Sequence, residues 1–256
     1  MPVAFTPTDA GVARYRRLRA AAVALSDKLL GALPEHAMEE TAQALGLLHQ
    51  GVLVLDSNQE MSVLSDACLY DWYQDGVNTV ERYAETHPQT PGSAEAELLD
   101  AYGRAVYRLI RLETAVPGAG VHCRDLLTGE ELFVMDSGLS RTPADVRLTL
   151  ATRTIPLGDF WMTGGAALPV SDGKQFLDKL EERIRSLGDQ ANEPGALPLA
   201  CIRTCLETGS AEHIRFQAAG SKSGLLAPAV ERTRIGTESK WAGKLPPKRR
   251  RRRLSG

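Results

Sequence analysis

Residues 116–170 carry the pattern that most restricts what this chain can fold into. Helical spacing gives way there to short, β-branched and partly alternating runs separated by glycine. GVHCRDLLTGEELFVMD reads as a β-hairpin, with strands near Val121 to Leu127 and Glu131 to Met135 about the turn residues Thr128 and Gly129. VRLTLATRTI, Val146 to Ile155, is a further strand, and GDFWMTGGAALPV supplies two more around a turn at Gly164 and Gly165. Short strands in close succession, with no helix between them, favour a small antiparallel β-barrel-like module over any βαβ unit.

The flanking sequence is helical in period. Tyr15, Leu18, Ala22, Leu25 and Leu29 fall on one helix face, and Met38, Thr41, Leu45 and Leu48 repeat the spacing after Pro34. Asp56, Ser57 and Asn58 supply capping chemistry for a helix through Met61, Leu64, Cys68 and Trp72, which Gly76 breaks. After the linker HPQTPGS, the residues Leu98, Ala101, Ala105, Leu109 and Leu112 predict a long helix ended by Pro117 and Gly118. The region 1–115 thus reads as helical. Asp172 and Gln175 have capping-box spacing before Phe176, Leu180, Ile184 and Leu187, and a last helix is expected from Leu199 to Leu206. Residues 171–208 form a helical segment, and 209–256, which lose periodicity, read as a largely disordered basic tail. The fold class is α+β.

Charge is unevenly distributed. The net charge of −2 divides into +7 on residues 244–256 and −9 on the rest of the chain. Five consecutive arginines in KLPPKRRRRRLSG cannot be buried side by side. Lys248, Arg249, Arg250, Arg251, Arg252 and Arg253 are therefore the candidate polyanion-binding residues, with RNA, DNA or an acidic protein as the anionic partner. An acidic body repels such partners on average, so attraction has to come from this patch. No aromatic residue is interleaved with the arginines to stack on bases.

With 43% apolar residues the chain can bury a substantial core, yet no segment approaches the ~20 apolar residues of a membrane span. The run after Arg14, Arg16, Arg17 and Arg19 is too short for a secretory signal. Cys68, Cys123, Cys201 and Cys205 are widely scattered, which suits a reducing compartment. A cytoplasmic protein without membrane attachment is expected.

The β-rich block 120–170, which from Val121 reads VHCRDLLTGEELFVMDSGLSRTPADVRLTLATRTIPLGDFWMTGGAALPV, resembles a segment of uncharacterised bacterial proteins, some with a C-terminal SEC-C zinc motif. Members with that motif end in a run like CPCGSGKKYKKCC. Here the stretch from Arg234 reads RIGTESKWAGKLPPKRRRRRLSG and contains no cysteine. The resemblance therefore implies kinship without the zinc site and no particular activity.

Reactive constellations are weak. On a strand His122 and Cys123 point to opposite faces, whereas Cys123 and Asp125 share one. Cys201 and Cys205 lie four apart on an expected helix, half a zinc site at best, with His213 further on. Gly164 and Gly165 could cradle an anion, but no P-loop lysine follows and a hairpin turn explains them. Asp125, Glu130, Glu131, Asp136 and Asp159 cluster in sequence, and no HExxH, GxSxG, GxGxxG or P-loop motif occurs. No cofactor or metal is called for. This reading favours a non-catalytic interaction or adaptor protein, with the β module, including an exposed Trp161, as its recognition surface. The alternative is a hydrolase-like or metal-dependent enzyme using Asp125 and Asp136 with His122 or Cys123 between the helices and the β module.

Overall fold

The computed structural model describes residues 6–34, 36–55, 57–143, 146–170 and 173–208, all within one unit, Met1–Ser221. The Lys248 to Arg253 run, His213 and Asp172 lie outside the described residues.

Helix α1 (Asp9–Gly31) starts where the Thr8 hydroxyl accepts the Gly11 N–H, and buries Tyr15, Leu18, Ala22, Leu25 and Leu29, the face expected from spacing. Helix α2 (Ala37–Leu45) leads into a hairpin of β1 (Leu48–His49) and β2 (Val52–Leu53). Helix α3 (Asn58–Tyr70) is capped by Ser57 and is followed by a second miniature hairpin, β3 (Tyr73–Gln74) and β4 (Val77–Asn78). Its turn residues Asp75 and Gly76 both have positive φ, 56° and 79°, the geometry that an Asp-Gly pair favours. Where the sequence suggests only a helix break, this hairpin reverses the chain into α4 (Thr79–Thr86), capped by the reciprocal Asn78 and Glu81 box.

Helix α5 (Ala94–Tyr102) is shorter than its apolar spacing predicts. Residues Ala105, Leu109 and Leu112 do not continue it, because Val106–Val116 is strand β5. The reason is that β5 is buried on both sides from Arg108 to Ile110. Ile110 and Leu112 point into the barrel while Leu109 packs outward beneath the helices, so the run has apolar residues at helical and strand periods alike.

Four more strands complete the sheet: β6 (Gly120–Asp125), β7 (Glu131–Met135), β8 (Thr149–Pro156) and β9 (Trp161–Pro169). The hydrogen-bonded order is β5-β6-β7-β9-β8, with β8 returning to β5, so the sheet closes on itself. Every neighbouring pair is antiparallel except β7 and β9, which run parallel. The sequence predicts an antiparallel module, and the parallel β7–β9 pair departs from it. The closing β7–β9 contact is short, pairing Val134 with Trp161 and Met135 with Met162, and further along β9 the Thr163 and Ala167 carbonyls accept from the Arg19 and Gln59 side chains.

The expected pair of strands about Gly164 and Gly165 is a single bulged strand. Gly165 has φ of 98°, and the β8/β9 register shifts between Thr152 and Thr154. A Cβ on Gly164 would lie 3.0 Å from Asp66 Oδ1, and one on Gly165 would lie 3.0 Å from Arg19 Nη2. The glycines make room for side chains from α3 and α1 rather than for a hairpin turn or a bound anion.

The final helices are α6 (Gly173–Leu187) and α7 (Ala196–Glu207). Apolar groups gather in three places: α1, α4 and α5 against one outer face of the barrel, α2, α3, α6 and α7 against another, and the barrel interior itself.

Candidate functional site

Strand alternation sends Arg108, Ile110 and Leu112 of β5, Val121, Cys123 and Asp125 of β6, and Leu150, Thr152 and Thr154 of β8 into the barrel. Along this interior the chemistry is graded. One end is filled by Ile110, Leu112, Val121, Leu132, Val134 and Leu150 and plugged by Leu139 from a 3-10 turn. At the other end β5 begins and β6 and β8 finish, and the interior becomes polar: Arg108, Asp125 and Thr154.

Arg108 is only 7% exposed. A buried guanidinium needs ionic partners, and it has two, since Nη1 lies 2.7 Å from both Asp125 Oδ2 and Glu130 Oε2. Its Nε donates to Thr154 Oγ1 at 3.1 Å, and that hydroxyl donates to the Val106 carbonyl. The guanidinium carbon sits 4.8 Å from the centre of the Trp161 ring, in cation–π range. The two carboxylates differ in kind. Asp125 is buried; burial alone would raise its pKa, but hydrogen bonds from the Leu127 N–H, Arg108 and Thr128 outweigh it and hold the carboxyl below its ordinary value. Glu130 has a side chain 46% exposed and reaches Arg108 from the hairpin turn. Trp161, expected to be exposed, is half-buried against this pair.

A second arginine pairs with the outside of the barrel. Arg153 of β8 donates through Nε to Asp66 Oδ2 at 2.9 Å and through Nη2 to Asp71, and lies over the rings of Tyr70 and Tyr107. All three charged residues are buried. Burial raises both acids, and despite the attraction of Arg153 the neighbouring Asp66 helps push Asp71 up to about 7. This cluster joins α3 to the barrel.

The residues singled out in the sequence are dispersed. Cys123 is in the barrel interior, and burial drives its thiol up to about 12, far from nucleophilic use. His122 is half-buried on the outside, edge-on to Phe133. Asp136 follows β7, at the far end of that strand from Glu130 and Asp125; it accepts the Gly138 and Leu139 N–H groups through Oδ1 and the Thr163 hydroxyl through Oδ2. It therefore ties a turn to β9 and does not meet Asp125, so the acid pair of the enzyme alternative is not assembled. Glu131 pairs with Arg124, and Asp159 is exposed on the β8–β9 turn. Cys201 and Cys205 are buried on α7, where their contact and burial raise the Cys205 thiol. Among the described residues, no group of three or more His, Cys, Asp or Glu is arranged to hold a metal ion. Nor is any helix among them long and apolar enough to cross a membrane.

Of the site residues, the sequence pointed to Asp125, Glu130 and Trp161 but missed Arg108. Its signal was a cation between apolar residues on the inward parity of β5, two before Ile110, whereas Arg111 in the same run is exposed on the opposite face.

No curated protein and no solved structure matches this chain significantly. A family model described as Family of unknown function (DUF7986) matches residues 9–192, taking in the whole barrel and the helices from α1 to α6. The chain belongs to DUF7986.

Proposed function

We propose that this chain is a cytoplasmic, non-catalytic interaction protein in which the barrel is the recognition element and the basic tail adds affinity for an anionic partner. The observation that carries this reading is the fate of the candidate reacting groups. Cys123 is buried as a thiol, Asp125 is an ionised partner of Arg108, and Asp136 is consumed by turn hydrogen bonds, whereas the polar end of the barrel presents a half-exposed carboxylate and ring over a buried cation. Four buried free thiols support a reducing compartment.

The tail reading rests on charge alone. Lys248 and Arg249 to Arg253 would hold RNA, DNA or an acidic protein through phosphate or carboxylate contacts. The test is salt-dependent binding of labelled RNA, duplex DNA and a polyglutamate peptide by the full chain and by a chain ending at Gly243. The proposal expects binding that is lost with the tail and falls steeply as salt rises. Equal binding by both chains, or none by either, removes the tail from the function.

A further inference from the structure

We propose that the polar end of the barrel is a carboxylate-binding site, in which an acidic side chain of a partner segment takes the position Glu130 now holds on Arg108. This rests on the reading of the barrel as the recognition element and gives that element a ligand chemistry. Three observations support it.

First, Arg108 is incompletely used. Nη1 serves Asp125 and Glu130 and Nε serves Thr154, while Nη2 makes no hydrogen bond among the described residues. When Glu130 withdraws, a donor on Nη1 joins those on Nη2, and two N–H groups of one guanidinium are what a carboxylate needs for paired, charge-assisted bonds. The position suits the group, because the Glu130 carboxylate already occupies it at 2.7 Å.

Second, the exchange is balanced. The buried Asp125 stays and keeps Arg108 neutralised, so one carboxylate replaces another with no change in buried charge. Glu130, with its side chain 46% exposed, is screened by water and is a weak internal competitor. Trp161 stacked on the guanidinium and Thr154 bonded to Nε hold its plane in place before any ligand arrives.

Third, the rim is apolar. Val106, whose carbonyl accepts the Thr154 hydroxyl, is 43% exposed, and Leu127, whose N–H bonds Asp125, is 59% exposed. An acidic residue flanked by aliphatic ones in an extended segment matches a cation bordered by Val106 and Leu127. The surrounding body is acidic, so a free polyanion gains nothing here and recognition depends on these local contacts.

The test titrates the full chain with acetyl-Val-Glu-Val-amide, its Gln twin, acetate and inorganic phosphate, reading the Arg108 Nε–H and Trp161 indole N–H resonances by NMR. The Glu peptide is expected to give saturable shifts at both, and the Gln twin to bind at least about ten-fold more weakly. In Glu130→Gln, where the competitor is removed at a half-exposed site, binding of the Glu peptide is expected to tighten by about three- to ten-fold. Acetate matching the peptide keeps the site and makes its ligand a small carboxylate. The proposal is overturned if Glu130→Gln leaves affinity unchanged, if the Gln twin binds equally, or if only phosphate shifts Arg108. Tail-dependent nucleic-acid binding is read separately, so its loss leaves this result standing and the converse also holds.

Discussion

Arg108 and Arg153 stand on adjacent strands of one barrel, each buried, each paired with two acids and packed on aromatic rings, Trp161 for the first and Tyr70 and Tyr107 for the second, yet they do different work. Arg153 points outward, where Asp66 and Asp71 cover it from α3 and the residue following it, and none of the three charges reaches solvent. Arg108 points inward, with one sealed partner, Asp125, and one open one, Glu130. The difference teaches that burial of the cation does not separate a structural pin from a recognition group. What separates them is whether one of its partners can leave. A sealed partner leaves behind an uncompensated buried charge, whereas an open one returns to water at little cost.

Breaking the sealed cluster should have the largest effect. Arg153→Met strands Asp66 and Asp71 without a cation, and a loss of about 3–5 kcal/mol in urea unfolding is expected. An unchanged midpoint would mean that α3 is held by apolar packing alone.

The same cluster sets a pH dependence. Asp71 is raised to about 7 in the folded protein from an ordinary 3.8, so between those values the folded state keeps a proton that the unfolded chain has lost. Stability is therefore full below about pH 4 on this account and is lost as pH rises through 7, by up to roughly 4 kcal/mol. Asp71→Asn, which copies the protonated acid, is expected to flatten that part of the profile and to leave Arg153 balanced by Asp66. A profile as steep in Asp71→Asn as in the parent would place the titration elsewhere.

At the other arginine the expected losses are smaller. Arg108→Met should cost about 2 kcal/mol, because it strands one buried acid rather than two, and Asp125 keeps its bond from the Leu127 N–H. A loss equal to that of Arg153→Met would erase the distinction between the two sites. Gly165→Ala, which puts a Cβ at φ of 98° against Arg19, should cost about 1 kcal/mol in thermal unfolding. Least of all, Glu130→Gln should leave stability within about 0.5 kcal/mol while changing ligand affinity. A large loss of stability there would make Glu130 a structural partner and close the site.

How much of this was legible follows the range of the interactions. The buried face of α1 could be read residue by residue, since i, i+3 and i, i+4 spacing is set within one helix. The β6–β7 hairpin was legible for the same reason, its Thr-Gly turn lying between alternating runs. Strand β5 was misread because both faces are buried from Arg108 to Ile110, which hides a period of two beneath one of 3.6. Gly164 and Gly165 mimicked a turn because nothing local announces Asp66 and Arg19, whose side chains arrive from elements about a hundred residues away or more. Of the site, the acids and Trp161 could be marked in sequence but not assembled around Arg108.

By itself the sequence determined the α+β composition, the amphipathic helices, a strand-rich module and a chain whose cations concentrate at one end, all consequences of local propensity and composition. Only the tertiary structure decided that the sheet closes through a parallel β7–β9 contact, that Asp125 and Asp136 sit apart, and that two arginines in apolar runs each gather a pair of acids. A buried charge is tolerated only beside its counter-charges, and for these residues most of the counter-charges come from other strands and helices, so their pairing exists only once the chain has closed.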